Sequence, residues 1–265
     1  MRRLSPHPAC ALALLDAASA ARSAEAGEIA CRFERGVITA PASVAGIAGD
    51  YIIDTGAAQT TLHETKAQAE GIADTEVTGD VRLAGVSVKT LPLKVADLDG
   101  RTWNLPTPSA GVIGADALKG FVVDVAYAPC RLRLSRPGGA PRFAGRALRL
   151  SWDLGRPTAQ ASVSDDAHEV SGRFVVATGG DVPIRLADDL AQAPGGPQTQ
   201  ELYPAGVWMA RLPQVRFAGA SGRDVAAGLM KPEGDVVGVI GGLVLAHFRL
   251  RFDFPASRLI VDPIR

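Results

Sequence analysis

The chain has 265 residues, 47% of them hydrophobic and 21% charged, with 28 basic side chains against 28 acidic ones. A formal net charge of zero supplies no basic field for nucleic acid, and acids sit among the arginines that recur along the chain. The 29 glycines and 18 prolines favour many short elements joined by turns over a bundle of long helices.

Residues 1–26 differ in character from the rest of the chain. Arg2 and Arg3 precede the apolar run Ala9 to Leu15, and small residues lead to Ala24-Glu25-Ala26. This is the order of a secretory signal peptide with an A-x-A cleavage site before Gly27. Asp16 opposes that reading, because a carboxylate inside an apolar segment is costly to insert in a membrane. The alternative is a disordered or loosely helical tail. Export places the chain in the periplasm or outside the cell; without it the chain is cytoplasmic. No later run of eighteen apolar residues occurs, so no transmembrane helix is expected in the mature chain. Cys31 and Cys130 would remain after cleavage. An oxidising compartment permits a disulfide between them, two separate thiols being the alternative. They are too few and too far apart in sequence for structural zinc.

Further along, Tyr51-Ile52-Ile53 reads as an apolar strand entering the turn Asp54-Thr55-Gly56-Ala57. Leu62 to Glu70 predicts a short helix closed by Gly71. Val81 to Val88, Leu91 to Val95, Phe121 to Val125 and Arg131 to Leu134 have the enrichment or alternation of strands, punctuated by turn residues at Gly85, Gly100 and Pro137-Gly138-Gly139. Pro137 to Arg146 has little periodicity, and residues 141–147 are read as a linker.

Beyond that linker the pattern repeats. Phe174-Val175-Val176-Ala177-Thr178-Gly179-Gly180 matches residues 51–57, and Gly238-Val239-Ile240-Gly241 matches Gly111-Val112-Ile113-Gly114. Phe248 to Phe254 then matches Phe121 to Tyr127, and Arg258 to Val261 matches Arg131 to Leu134. The motifs lie 123 residues apart (177 − 54) and the later blocks 127 (238 − 111). Four matches in one order indicate two homologous lobes, residues 28–140 and 148–265.

With these motifs the chain resembles the retroviral-type, pepsin-related aspartic proteases, in the bacterial version with two lobes in tandem. Asp54-Thr55-Gly56-Ala57 looks like the catalytic motif, and Val112-Ile113-Gly114 and Val239-Ile240-Gly241 look like the segments that brace the catalytic loops. The resemblance implies a mostly β, bilobal acid-protease fold of two homologous retropepsin-like β-barrel lobes. It implies two strand-end turns facing each other across a cleft that takes an extended peptide or protein segment. One chain supplies both lobes, so a monomer is expected, and neither metal nor organic cofactor is required. Asp54, Thr55 and Gly56 are the catalytic candidates. Ala57, Thr178, Gly179 and Trp208 are candidates for lining the ligand. Flap candidates are residues 74–81 and 193–206.

In that family two nearby carboxylates share a proton; one activates water while the other hydrogen-bonds to the scissile carbonyl. Ala177 stands where the second aspartate belongs, and its methyl group can do neither. Two functions are therefore in competition: an endopeptidase severely impaired by Ala177, and a non-catalytic pseudo-protease that binds an extended segment. Asp181 is the nearest substitute acid, while Asp116, Asp124 and Asp253 read as structural and Asp188 and Asp189 as exposed. His63 reads as a helix-surface residue near the cleft. No Gly-x-Ser-x-Gly elbow occurs, and the glycines at 238–242 lack the lysine of a P-loop.

Overall fold

A computed structural model describes residues 27–166, 169–187, 199–201, 208–231 and 233–264. The leader candidate, Asp188, Asp189 and most of the second flap candidate lie outside the described residues. In chain order come β1 (Glu28–Ala30), β2 (Arg32–Glu34), β3 (Val37–Val44), β4 (Ile47–Ile53), β5 (Thr61–His63) and α1 (Glu64–Ala69). Next are β6 (Glu76–Leu83), β7 (Val86–Ala96), α2 (Asp99–Thr102), β8 (Ser109–Ile113), α3 (Ala115–Leu118), β9 (Val122–Tyr127) and β10 (Cys130–Ser135). The second half holds β11 (Arg146–Arg149), β12 (Ser151–Asp153), β13 (Arg156–Ser164), β14 (Glu169–Val176), β15 (Ile184–Ala187) and β16 (Thr199–Glu201). It ends with β17 (Trp208–Phe217), β18 (Ala220–Met230), β19 (Gly238–Ile240), a one-turn α4 (Gly242–Leu245), β20 (Phe248–Asp253) and β21 (Arg258–Pro263). β11 thus begins inside the segment read as a linker.

The protein is mostly β and bilobal. The first lobe is a sheet in the order β2-β3-β4-β8-β5-β7-β6, closed into a barrel by pairing of β3 with β6. The second repeats it as β12-β13-β14-β19-β15-β18-β17-β16, closed by β13 with β17. Closure gives each lobe its own interior and, among the described residues of the two barrels, leaves only the short strands β2, β12 and β16 with a single partner each. Tyr51 and Phe174, at matching places beside the two turns, are both fully buried. Burial pushes the Tyr51 hydroxyl up to about 12. Above pH 10 an unfolded chain releases that proton while the folded chain retains it, so stability falls as pH rises from 10 to 12. Because Phe174 shows that the same packing tolerates phenylalanine, Tyr51→Phe is expected to fold. Urea unfolding at pH 9 and pH 11.5 should show an alkaline loss smaller by about 2 kcal/mol in the variant.

The lobes are joined by a third, antiparallel sheet, β1-β10-β9-β20-β21-β11, with two-strand hairpins from each lobe meeting at β9 and β20. Asp124 on β9 lies opposite Arg251 on β20 and accepts from its Nε at 2.6 Å and its Nη2 at 2.7 Å. Cys31 and Cys130 form a disulfide that ties the β1–β2 junction to the start of β10.

Two local expectations change. Residues 81–88 are not one strand but a hairpin: Ala84 (φ 47°) and Gly85 (φ 74°) both take left-handed backbone angles and turn β6 into β7. Leu62 and His63 belong to β5, and the helix begins only at Glu64. Its end is as read, with Gly71 at φ 79° and the Ile72 amide donating back to the Ala67 carbonyl.

That hairpin also shows where the lobes differ. Ala218-Gly219, between β17 and β18, has similar angles (φ 54° and 83°) to Ala84-Gly85. From Asp54 to Ala84 is 30 residues, from Ala177 to Ala218 is 41; from Gly85 to Gly111 is 26, from Gly219 to Gly238 is 19. The net drift of four therefore combines eleven extra residues in the second lobe with seven extra in the first. The former contain β16. The latter contain α2.

Candidate functional site

Each motif turn leaves a central strand and is held by the parallel strand beside it. Asp54 N donates to the Ile113 carbonyl at 3.0 Å, and in the second lobe Ala177 N donates to the Ile240 carbonyl at 2.9 Å. The returning chain is pinned in the same way: Ala115 N reaches the Ala57 carbonyl at 2.7 Å, and Gly242 N the Gly180 carbonyl at 2.9 Å. Glycine is required at 114 and 241, where a Cβ would lie 2.7 Å from the Ala57 carbonyl oxygen and 2.0 Å from that of Val182. Asp116 accepts from the Thr60 amide and hydroxyl and braces the first loop.

The two turns meet face to face. The Thr55 hydroxyl donates to the Val176 carbonyl at 2.5 Å and accepts from Thr178 N at 3.2 Å. Reciprocally, the Thr178 hydroxyl donates to the Ile53 carbonyl at 2.7 Å and accepts from Thr55 N at 3.1 Å. Both threonines are fully buried, so Thr178 belongs to the lobe junction. Their network satisfies four backbone groups that would otherwise be desolvated without partners, at about 1–3 kcal/mol each.

On top of this junction lie Asp54 and Ala177. A Cβ added to Gly56 would stand 2.4 Å from the Ala177 Cβ, and one added to Gly179 would stand 2.5 Å from the Asp54 Cβ. The two approaches are related by the pseudo-symmetry of the lobes. Asp54 Oδ1 accepts from Gly56 N at 2.8 Å and from Gly179 N at 3.1 Å. Both glycine amides therefore serve the single carboxylate present.

The other carboxylate oxygen, Oδ2, is 2.8 Å from Arg101 Nη2, which also donates to the Gly179 carbonyl at 3.1 Å. Arg101 is carried on α2, within the segment that the second lobe lacks. The Asp54 side chain is 6% exposed and that of Arg101 is 39% exposed, so the guanidinium covers the carboxylate from the solvent side. α2 is anchored by His63, whose Nε2 lies 3.2 Å from Asp99 Oδ1. His63 is buried at the end of β5, a correction to its reading as a helix-surface residue. Its position there results from the strand continuing to residue 63.

The other candidates occupy varied places. The Ala57 backbone holds the loop, and Gly179 contributes its amide to Asp54. Asp181 forms a surface pair with Arg185 at 3.1 Å and offers no replacement carboxylate. Trp208 opens β17 opposite Glu201 of β16, in the hairpin of the second lobe. The first flap candidate is occupied by β6, hydrogen-bonded to β7 on one side and, at Val81, to β3 on the other, so it is barrel wall. Among the described residues no three His, Cys, Asp or Glu side chains cluster as metal ligands, and no helix is long and apolar enough to cross a membrane. A hollow of about 590 Å³ beside β18 and α4 shares no residue with either turn.

Barrel topology, paired turns and interlobe sheet together define a pepsin-like fold. Among solved structures the chain is similar to the crystal structure of aspartic proteinase from Irpex lacteus, with a TM-score of 0.55 and 13% sequence identity. The match covers 90% of this chain and 97% of that one, and the likeness is one of fold. No protein-family model and no curated protein matches the sequence.

Proposed function

We propose that the chain is a pseudo-protease, a tandem-lobe relative of the retropepsin-like enzymes that holds an extended polypeptide in its cleft without hydrolysing it at an appreciable rate. The observation that carries this reading is the Asp54–Arg101 ion pair facing Ala177. Acid-protease chemistry needs one carboxylate to take a proton from water and a second, protonated, to bond to the scissile carbonyl. Ala177 has no such group. Oδ2 of Asp54 is paired with the Arg101 guanidinium, which competes with an attacking water for that oxygen. A peptide bound in extended form is held chiefly by its main chain, so its binding needs neither carboxylate. The Cys31–Cys130 disulfide supports a location in the periplasm or outside the cell, where such bonds persist.

Fluorescence polarisation with a library of labelled extended peptides tests this reading. Saturable binding is expected, with hydrogen-exchange protection at residues 54–57 and in the α2 segment. Absence of binding by every peptide class, or protection confined to surfaces remote from Asp54, defeats it.

A further inference from the structure

The solvent face of the interlobe sheet concentrates arginines from both lobes. β10 contributes Arg131 and Arg133, β20 contributes Arg249 and Arg251, and the connection between the lobes contributes Arg142. Together they line a hollow of about 260 Å³. Register sets this up: Arg133 and Arg251 both lie opposite Asp124, from either side. Among the described residues only three carboxylates meet these five guanidinium groups. Asp124 is fully engaged by Arg251, Glu28 accepts from Arg133 at 3.0 and 2.6 Å, and Asp262 lies 3.6 Å from Arg249. Arg131 approaches Glu28 only to 3.9 Å, and Arg142 has no acid within 4.0 Å among the described residues.

The floor of the hollow is rigid. The Arg251 side chain is 8% exposed, and its Nη1 donates to the Pro141 carbonyl at 2.6 Å. The ring of Phe143 lies 4.8 Å from the Arg251 guanidinium and 5.4 Å from that of Arg249, a stacking that orients both. The surplus of two positive charges is local, since the chain as a whole is neutral. Arg131, Arg142 and Arg249 retain donors directed by no strong internal acceptor, and planar guanidinium forks match the oxygens of phosphate and sulfate. We propose that this hollow binds a tetrahedral oxyanion, the phosphate or sulfate group of a soluble ester or of a lipid headgroup. Because the ligating arginines come from both lobes and their connection, the bound anion would also clamp the lobes together.

The test is calorimetric titration and thermal melting with inorganic phosphate, sulfate and pyrophosphate at constant ionic strength set by chloride. Saturable binding and a rise in melting temperature are expected. Arg142→Gln combined with Arg249→Gln should weaken binding at least about tenfold, the loss of one charge-assisted contact or more, with an unchanged circular dichroism spectrum. Arg131→Gln alone should weaken it less, and Arg185→Gln, remote from the hollow, should leave it unchanged. Sedimentation with phosphatidylglycerol against phosphatidylcholine vesicles separates the sources: binding to the former without response to the free anions assigns a headgroup, and the converse assigns a soluble ester. A response reproduced by chloride alone, equal binding by the double variant, or no binding to anions or vesicles overturns the proposal.

Discussion

Ala177→Asp combined with Arg101→Gln is expected to hydrolyse extended peptides at mildly acidic pH about 10³-fold faster than the unaltered chain, the scale of a restored acid–base partner. Ala177→Asp alone should recover no more than about a tenth of that gain, because displacing one guanidinium contact costs at least one factor of ten. The new carboxylate has room: Asp54 already fits against Gly179 at the same close approach that Ala177 makes to Gly56. The threonine network beneath is intact on both sides. What the single substitution leaves in place is Arg101 on Asp54 Oδ2. A guanidinium there competes with the attacking water for Oδ2, the oxygen that would have to accept its proton. Quenched-peptide digestion by the unaltered chain, each single variant and the double variant, with Asp54→Asn added to the last as the inactive control, measures this. Equal rates for Ala177→Asp and the double variant would leave Arg101 with no part in suppressing hydrolysis.

A second large effect is expected at the joint between the lobes. Asp124→Ala should lower stability by about 3–5 kcal/mol, since it strands the Arg251 guanidinium, 8% exposed, without its counter-ion. Replacing both residues, Asp124→Ala with Arg251→Leu, should recover most of that loss, because it is the uncompensated charge and not the absent pair that is costly. Urea unfolding gives both numbers. A loss below about 1 kcal/mol for Asp124→Ala would show that the pair is solvated like a surface bridge.

Much of this architecture is legible because duplication writes the same physical constraints twice. The strand-end turns, the Gly-x-x-Gly braces and the terminal hairpins appear in both halves and fold as repeats. A further copy stands out only once the strands are aligned: Thr39-Ala40-Pro41-Ala42-Ser43-Val44 corresponds to Thr158-Ala159-Gln160-Ala161-Ser162-Val163, 119 residues on (158 − 39), and these are β3 and β13. The Ala84-Gly85 turn is hidden inside an apolar run, where only its match to Ala218-Gly219 identifies a hairpin. Those two turns divide the small drift in repeat spacing into two opposed insertions, and that division is the only sequence trace of the α2 segment. Arg101 itself carries no local signal. It lies 47 residues from Asp54, on a single helical turn, and reaches the carboxylate only because the barrel returns the chain over the junction. The cysteines likewise permit two readings in sequence, which the pairing of β1 with β10 resolves by bringing them together.

Central to the proposed function is a peptide that enters the cleft and leaves it uncut. Incubating the unaltered chain with its tightest-binding peptides in water enriched in oxygen-18, then weighing the recovered peptides by mass spectrometry, measures this most directly. Full-length peptide with no heavy oxygen at any new carboxyl terminus is the expected result. Shortened products carrying one heavy oxygen, and lost on Asp54→Asn, would show that a single aspartate beside Arg101 suffices for hydrolysis and would contradict the pseudo-protease reading.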